Sequence, residues 1–175
     1  NEFYLAFIEA ITAPESILAD TKLNITTPTI NNPNSITLSS QGWQIKKSSG
    51  SYESFDPFTT VLDLTYNNAL LRYYITYTDG SEKVIYSNEV TVEVGKAAGS
   101  VSSISDISKV YDNNPVSEPT YTATSTGSAT IEYKVKYAYD SLYTITKPLA
   151  VGNYTVRVSV AEDENYTAAS ATKDF

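Results

Sequence analysis

The sequence predicts an all-β chain of two antiparallel β-sandwiches in tandem, and three observations carry that expectation. A hairpin pattern is written twice. Leu71-Arg-Tyr-Tyr-Ile-Thr-Tyr, a turn and Tyr86-Ser-Asn-Glu-Val-Thr-Val are followed later by Gly152-Asn-Tyr-Thr-Val-Arg-Val, a turn and Tyr166-Thr-Ala-Ala-Ser-Ala-Thr. Tyr73 and Tyr86 lie 13 residues apart and Tyr154 and Tyr166 lie 12, so the hairpins are expected to differ by about one loop residue. Second, 15 Tyr with abundant Thr and Val, interrupted by Pro, Asn-Asn and Gly, favour strands joined by turns. Third, no long segment shows helical periodicity.

In the first half, strands are expected near 3–11, 21–26, 35–38, 42–47, 60–65, 70–78 and 84–94. The apolar start at 1–11 carries two Glu and no basic leader, so it reads as a first strand rather than a signal peptide. Seven segments suit a constant-type immunoglobulin-like sandwich. Trp43, the one Trp, falls where such sandwiches bury a large aromatic between the sheets, with a surface Trp gripping a sugar ring as the other reading. Leu71, Tyr73, Ile75 and Tyr77 alternate with Arg72, Tyr74, Thr76 and Thr78, which turns one Tyr series inward and Tyr74 outward. Asp79-Gly80 supplies the turn.

The first module is thus assigned to residues 1–94, a short patternless linker to 95–100 and the second module to 101–175. Strands of the second are expected near 101–111, 120–124, 129–138, 142–146, 151–161 and 166–175, with turns at Asp112-Asn-Asn-Pro115 and Thr146 to Gly152.

Composition narrows the chemistry. With no His and no Cys there is no imidazole base, thiolate nucleophile, disulfide or His/Cys zinc site, so both cores stand on packing. A net charge of −8 disfavours nucleic acid and anionic membranes, which are held largely by Lys and Arg. No stretch approaches the roughly 18 apolar residues of a spanning helix.

The second module resembles the immunoglobulin-like (MBG-like) repeats of bacterial cell-surface proteins. Lys109-Val-Tyr111-Asp-Asn-Asn-Pro115, Ala150-Val-Gly152-Asn-Tyr154-Thr-Val, and Asn165-Tyr166-Thr-Ala-Ala-Ser with a closing Asp174-Phe175 carry the resemblance over most of 101–175. Tyr154 fits the tyrosine-corner position, its hydroxyl expected to reach back to the preceding loop. The first module is similar, through Gly42-Trp43-Gln-Ile and Leu71-Arg-Tyr-Tyr-Ile-Thr, to immunoglobulin-like domains found beside such repeats. The resemblance implies an extracellular, cell-surface location, with cell-wall attachment through other parts of the parent protein, and a role in a stalk or adhesive array.

Glu162-Asp163-Glu164-Asn165 reads either as a calcium-ligating turn or as a solvated acidic one, without the spacing of a calcium loop. Glu53, Asp56 and Asp63 are the nearest approach to paired catalytic acids, and loop acids account for them equally. Lys134 and Lys136, with Asn153, raise the idea of a Lys–Asn isopeptide bond beside that of ordinary strand lysines. Asn24, Asn153 and Asn165 are sequons that a bacterial origin makes incidental.

In Tyr133-Lys-Val-Lys-Tyr137-Ala-Tyr139-Asp-Ser-Leu-Tyr143 not every ring can point inward, which makes Tyr137, Tyr139 and Tyr143 the candidate ligand-binding residues. The expected function is non-enzymatic: a spacer or adhesion module whose partner is a host or cell-surface protein or glycan, with no catalytic residue, metal or cofactor. The alternative is a carbohydrate-binding accessory module of a secreted glycoside-active enzyme.

Overall fold

The computed structural model describes residues 6–175; the first five residues of the chain, and with them the start of the predicted strand 3–11, lie outside the described residues. The chain divides into two compact units, Asn1–Gly95 and Lys96–Phe175. Among the described residues both are built from strands, turns and short 3-10 segments, with no α-helix. No helix is long and apolar enough to cross a membrane.

The first unit centres on two long strands, β4 (Leu38–Lys46) and β6 (Ala69–Asp79), preceded by the short β1 (Phe7–Ile8), β2 (Ile17–Leu18) and β3 (Ile30–Asn31). β5 (Glu53–Phe55) flanks β4, and β7 (Ser81–Tyr86) and β8 (Val90–Val92) both pair with β6, giving the order β5-β4-β6-β7 with β8 beside β6. The closing β9 (Val94–Gly95) runs parallel to β2. Between Tyr74↔Tyr86 and Leu71↔Val90, three steps along β6 match four along its partner. This extra residue is a bulge, where the Tyr73 amide donates to the Ser87 hydroxyl at 2.9 Å.

Alternation on β6 runs as expected: Leu71, Tyr73, Ile75 and Tyr77 are buried. Thr76 departs from it by being buried on the other face, where its hydroxyl meets those of Ser39 and Ser40 at 2.8 and 2.6 Å. Trp43 is a core anchor, buried and edge-on to Tyr73 with centroids 5.1 Å apart. Gly80, at φ 67°, reverses the chain into β7.

The second unit has a three-stranded sheet, β12 (Ala129–Val135), β13 (Tyr154–Val160) and β14 (Ala169–Asp174), and a smaller pair, β10 (Val101–Ser102) with β11 (Thr122–Ala123). Tyr133, Val156, Val158 and Val160 on the inner face pack against Ile104 and Ile107, with Val101, Val116 and Tyr121 around them. A two-residue periodicity puts these β13 valines on one side and Thr155, Arg157 and Ser159 on the other.

Several sequence expectations are corrected here. The segment 101–111 leaves the strand at Ser103, whose φ of 54° no strand accepts, and then buries Ile104 and Ile107 at a spacing of three. Of 142–146, Leu142 ends a 3-10 turn (Asp140–Leu142), and only Thr144 bridges to Tyr133. Strand 60–65 is replaced by a single bridge, Thr21↔Leu62, and by the 3-10 turn Leu64–Tyr66, in which the Thr65 amide donates to the Asp63 carboxylate at 2.9 Å. The same bridge is all that pairs within 21–26, and 35–37 is irregular, with Ser35 at φ 51°, before β4 opens at Leu38.

The doubled hairpin is also unequal. The first closes at Gly80, whereas the second spans 161–168, because Asp163 gathers the amides of Asn165 and Tyr166 at 2.9 and 2.8 Å into a wide loop. Arg72 faces Gln44 and Arg157 faces Glu132, so the arginines, and not Tyr73 and Tyr154, hold equivalent places. Residues 95–100 carry their own bonds: Gly95 belongs to β9, Ala97 bridges to Tyr166, and the amides of Gly99 and Ser100 donate to the Thr167 and Thr124 hydroxyls.

Candidate functional site

The predicted tyrosines fall on the loop that leaves β12. The Ala138 amide donates back to the Val135 carbonyl at 3.0 Å, closing a turn in which Tyr137 takes φ 67°. That third turn position favours Gly, since an L side chain there crowds its own carbonyl. A tyrosine fills it nonetheless, and its ring is 91% exposed, with Tyr139 close behind at 83%. Neither ring is held there by burial.

Lys134 braces this loop from beneath. Its ammonium donates to the Ala138 carbonyl at 2.8 Å and to the Asp140 carboxylate at 2.6 Å. That ion pair holds the Asp140 carboxyl below its ordinary range. Tyr143 behaves differently from its two neighbours. Its ring turns back onto the sheet, 3.9 Å from the Arg157 guanidinium and 4.9 Å from Lys134 Nζ, and burial pushes its phenol up. The three candidates therefore separate into two that project and one that covers the outer sheet face.

Beside the turn lies a groove of about 250 Å³. Its walls are the loops 109–116 and 148–153 together with Tyr154 and Phe175, so the residues that carry the sequence resemblance converge here. The Tyr154 hydroxyl donates to the Ala150 carbonyl at 3.0 Å, the backward reach expected of it, and its ring stacks on Phe175 at 5.9 Å. Val116 N–H donates to the Pro148 carbonyl at 3.1 Å and ties the two loops together. Lys136 N–H donates to the Asn153 carbonyl at 2.9 Å, so the Tyr137 turn and the groove share a wall. Tyr111, Leu149 and Val151 are exposed along the rim.

The first unit carries an aromatic arrangement that sequence reasoning missed. On the outer face of β6 the Arg72 guanidinium lies 3.5 Å from the Tyr52 ring and 3.7 Å from that of Tyr86, and donates twice to the Gln44 side-chain oxygen Oε1, at 3.0 and 2.9 Å. Tyr52 donates to Glu89 at 2.5 Å, and burial together with that carboxylate pushes its phenol up to about 12. Tyr74, expected to face outward, rests against Gly42, where a Cβ would stand 3.3 Å from the ring. The second unit repeats the plan, with Arg157 forked onto Glu132 at 3.1 and 2.8 Å beneath Tyr143. Only the cross-strand register reveals these clusters; sequence spacing does not.

The other candidates have structural employment. Asp56 accepts from Phe58 N–H and the Thr59 hydroxyl, Asp63 caps its 3-10 turn, and Asp163 accepts from Thr126, Asn165 and Tyr166 amides. Lys134 and Lys136 are paired with Asp140 and Asp174, not with the Asn153 side chain. Among the described residues no group of three or more acids is placed to hold a metal ion. Comparison with known proteins gives no match: no family model fits the chain, and no curated protein or solved structure is significantly similar to it.

Proposed function

We propose that the chain is a pair of immunoglobulin-like sandwiches forming a non-enzymatic adhesion segment of an extracellular bacterial surface protein, which meets its partner through the Tyr137–Tyr139 loop. The sandwich reading is supported in the first unit by the parallel pairing of β2 with β9. In the second it is supported by the tyrosine corner and by a core filled from β12 and β13 on one side and the segment 101–123 on the other.

One observation carries the adhesive reading over a bare spacer. A non-glycine residue in the left-handed region costs on the order of 1 kcal/mol or more, and such strain persists where function demands it. Six described non-glycine residues have positive φ, and among them Tyr137 is the one aromatic, presented almost wholly to solvent. A spacer gains nothing from that, whereas a contact surface gains a large amphipathic ring with few rotamers to freeze.

The test is a binding screen of the full chain against immobilised glycans and extracellular-matrix proteins, with and without calcium. Specific binding that Tyr137→Gly and Tyr139→Ser abolish supports the reading. Binding that both variants retain, or no binding in either condition, overturns it in favour of a stalk.

A further inference from the structure

We propose that the groove between loops 109–116 and 148–153 of the second unit is a site for one neutral pyranose ring. The inference rests on the groove alone and is separable from the role of the Tyr137 loop.

The groove contains one cation, Lys109, whose ammonium faces the Asp112 carboxylate and also donates to the Asn114 and Pro115 carbonyls at 3.1 and 3.4 Å. Its three donors are therefore directed at three acceptors of its own loop, and its charge is cancelled by a neighbour. Phosphate, sulfate or a carboxylate entering here would find no free ammonium. A cation would fare no better, since Asp112 is engaged with Lys109 and with the Asn114 amide at 3.0 Å. The occupant is uncharged.

The walls combine the aromatic residues Tyr111, Tyr154 and Phe175 with the polar residues Ser108, Asn114 and Asn153, of which the Ser108 hydroxyl donates to Asp106 at 2.6 Å and the Asn114 amide to the Asp112 carbonyl at 3.1 Å. An all-apolar guest would strip water from those polar groups without replacing its hydrogen bonds. A purely polar one would leave the rings and Val151 unused. A pyranose presents both characters, with C–H faces for aromatic rings and hydroxyls for amide groups.

Tyr111 is placed for the first role: its hydroxyl donates to the Asn113 side-chain oxygen Oδ1 at 3.0 Å, which anchors the ring at the rim with more than half the residue's surface exposed. Asn153 is the candidate for the second: it lines the groove, and its backbone carbonyl is held by Lys136 N–H at 2.9 Å.

Size sets the limit. A volume of about 250 Å³ lies just below the roughly 300 Å³ at which drug-sized pockets begin, which suits a single ring and not a chain of them. A guest with about a dozen heavy atoms binds with a dissociation constant on the order of 1 mM, and useful avidity comes from many copies on a surface.

The experiment is saturation-transfer NMR on the full chain with a panel of methyl glycosides of glucose, galactose, mannose and N-acetylglucosamine. We expect transfer to at least one glycoside, weakened at least tenfold by Asn153→Ala and by Tyr111→Ala, and unchanged by Tyr137→Gly. Both groove positions are exposed, and an unchanged amide spectrum verifies that the variants fold. Silence across the panel, or transfer that survives both groove substitutions, overturns the site. If a single ring binds but no surface partner is found, the adhesive role of Tyr137 fails alone; if the opposite holds, the groove fails alone.

Discussion

At the scale of single residues, this protein uses tyrosine in three different ways, and each has its own test. Tyr133 is a core residue whose hydroxyl is buried with no hydrogen-bond partner. Removing an unpaired buried hydroxyl while keeping the ring should be favourable, so Tyr133→Phe is expected to stabilise the chain by about 1 kcal/mol, measured by denaturant unfolding. Tyr52 is a surface phenol under Arg72 with a pKa of about 12 against an ordinary 10.0. Between those values the unfolded chain releases this proton and the folded one keeps it. Stability is therefore fully present below pH 10 and falls as pH rises toward 12. A phenolate absorbance titration should show this late step, and Tyr52→Phe should remove it. Tyr137 is a turn residue. Tyr137→Gly relieves backbone strain of about 1 kcal/mol, partly offset by the greater freedom glycine loses on folding. The melting temperature should stay level or rise while surface binding is lost; a clear drop would mean the ring packs against the fold.

At the scale of elements, what the sequence reveals depends on whether an element repeats a simple period. On β6 the inward residues Leu71, Tyr73, Ile75 and Tyr77 were readable in advance from their alternation, and only the buried Thr76 departs from it. The segment from Ser103 to Thr120 was not, because it covers the core through isolated residues, Ile104 and Ile107, between irregular turns. The loop acids were legible as polar, but not as organisers. Asp163 looked like a possible calcium ligand and instead accepts four hydrogen bonds from Thr126, Asn165 and Tyr166.

Tyr137 and Tyr139 could be singled out because the segment 133–143 holds four Tyr, not all of which can point inward, whereas the groove is made by three distant segments and has no local signature. One consequence concerns how loops meet strands. Gly127 lets the backbone before β12 approach the end of β13 so closely that a Cβ would stand 2.2 Å from the Ala161 carbonyl oxygen. That neighbour is backbone and cannot swing away. Gly127→Ala is thus expected to cost about 2 kcal/mol, by displacing the turn that the Ser125 hydroxyl secures on the same carbonyl at 2.6 Å. Urea unfolding followed by circular dichroism measures it, and a loss under 0.5 kcal/mol would show that the two loops can separate freely.

At the scale of the whole molecule, the dominant quantity is charge: 20 acids against 12 bases, no His, and a pI near 4.5. Two opposing effects then decide how stability responds to acid. Lowering the pH from 7 removes net negative charge and with it self-repulsion, which favours the compact state. Against this stand Asp56, Asp106, Asp112, Asp140, Asp163 and Asp174, all held below the usual carboxylate range. The causes are hydroxyl and amide donors at Asp56, Asp106 and Asp163, the lysines at Asp112 and Asp140, and Thr155 with Lys136 at Asp174.

For a depressed carboxylate, the stabilisation is present above the unfolded value of about 3.9 and is lost as pH falls through the folded one, because the unfolded chain takes the proton first. Repulsion weakens first, then, and the aspartates fail afterwards. With no His to titrate, the net charge hardly changes from pH 7 to about 5.5, so the melting temperature should be nearly level there. It should rise slightly to a maximum near pH 5 as the first carboxylates take protons, and fall steeply below about 4. Salt separates the contributors. At 1 M the lysine pairs of Asp140 and Asp174 are screened, while the neutral donors around Asp163 are not, so the acid limb should become shallower without vanishing. Thermal melts across pH 3–8 at low and high salt measure both limbs. A midpoint that keeps rising down to pH 3 would show that charge repulsion, and not the local work of these carboxylates, governs the stability of the chain.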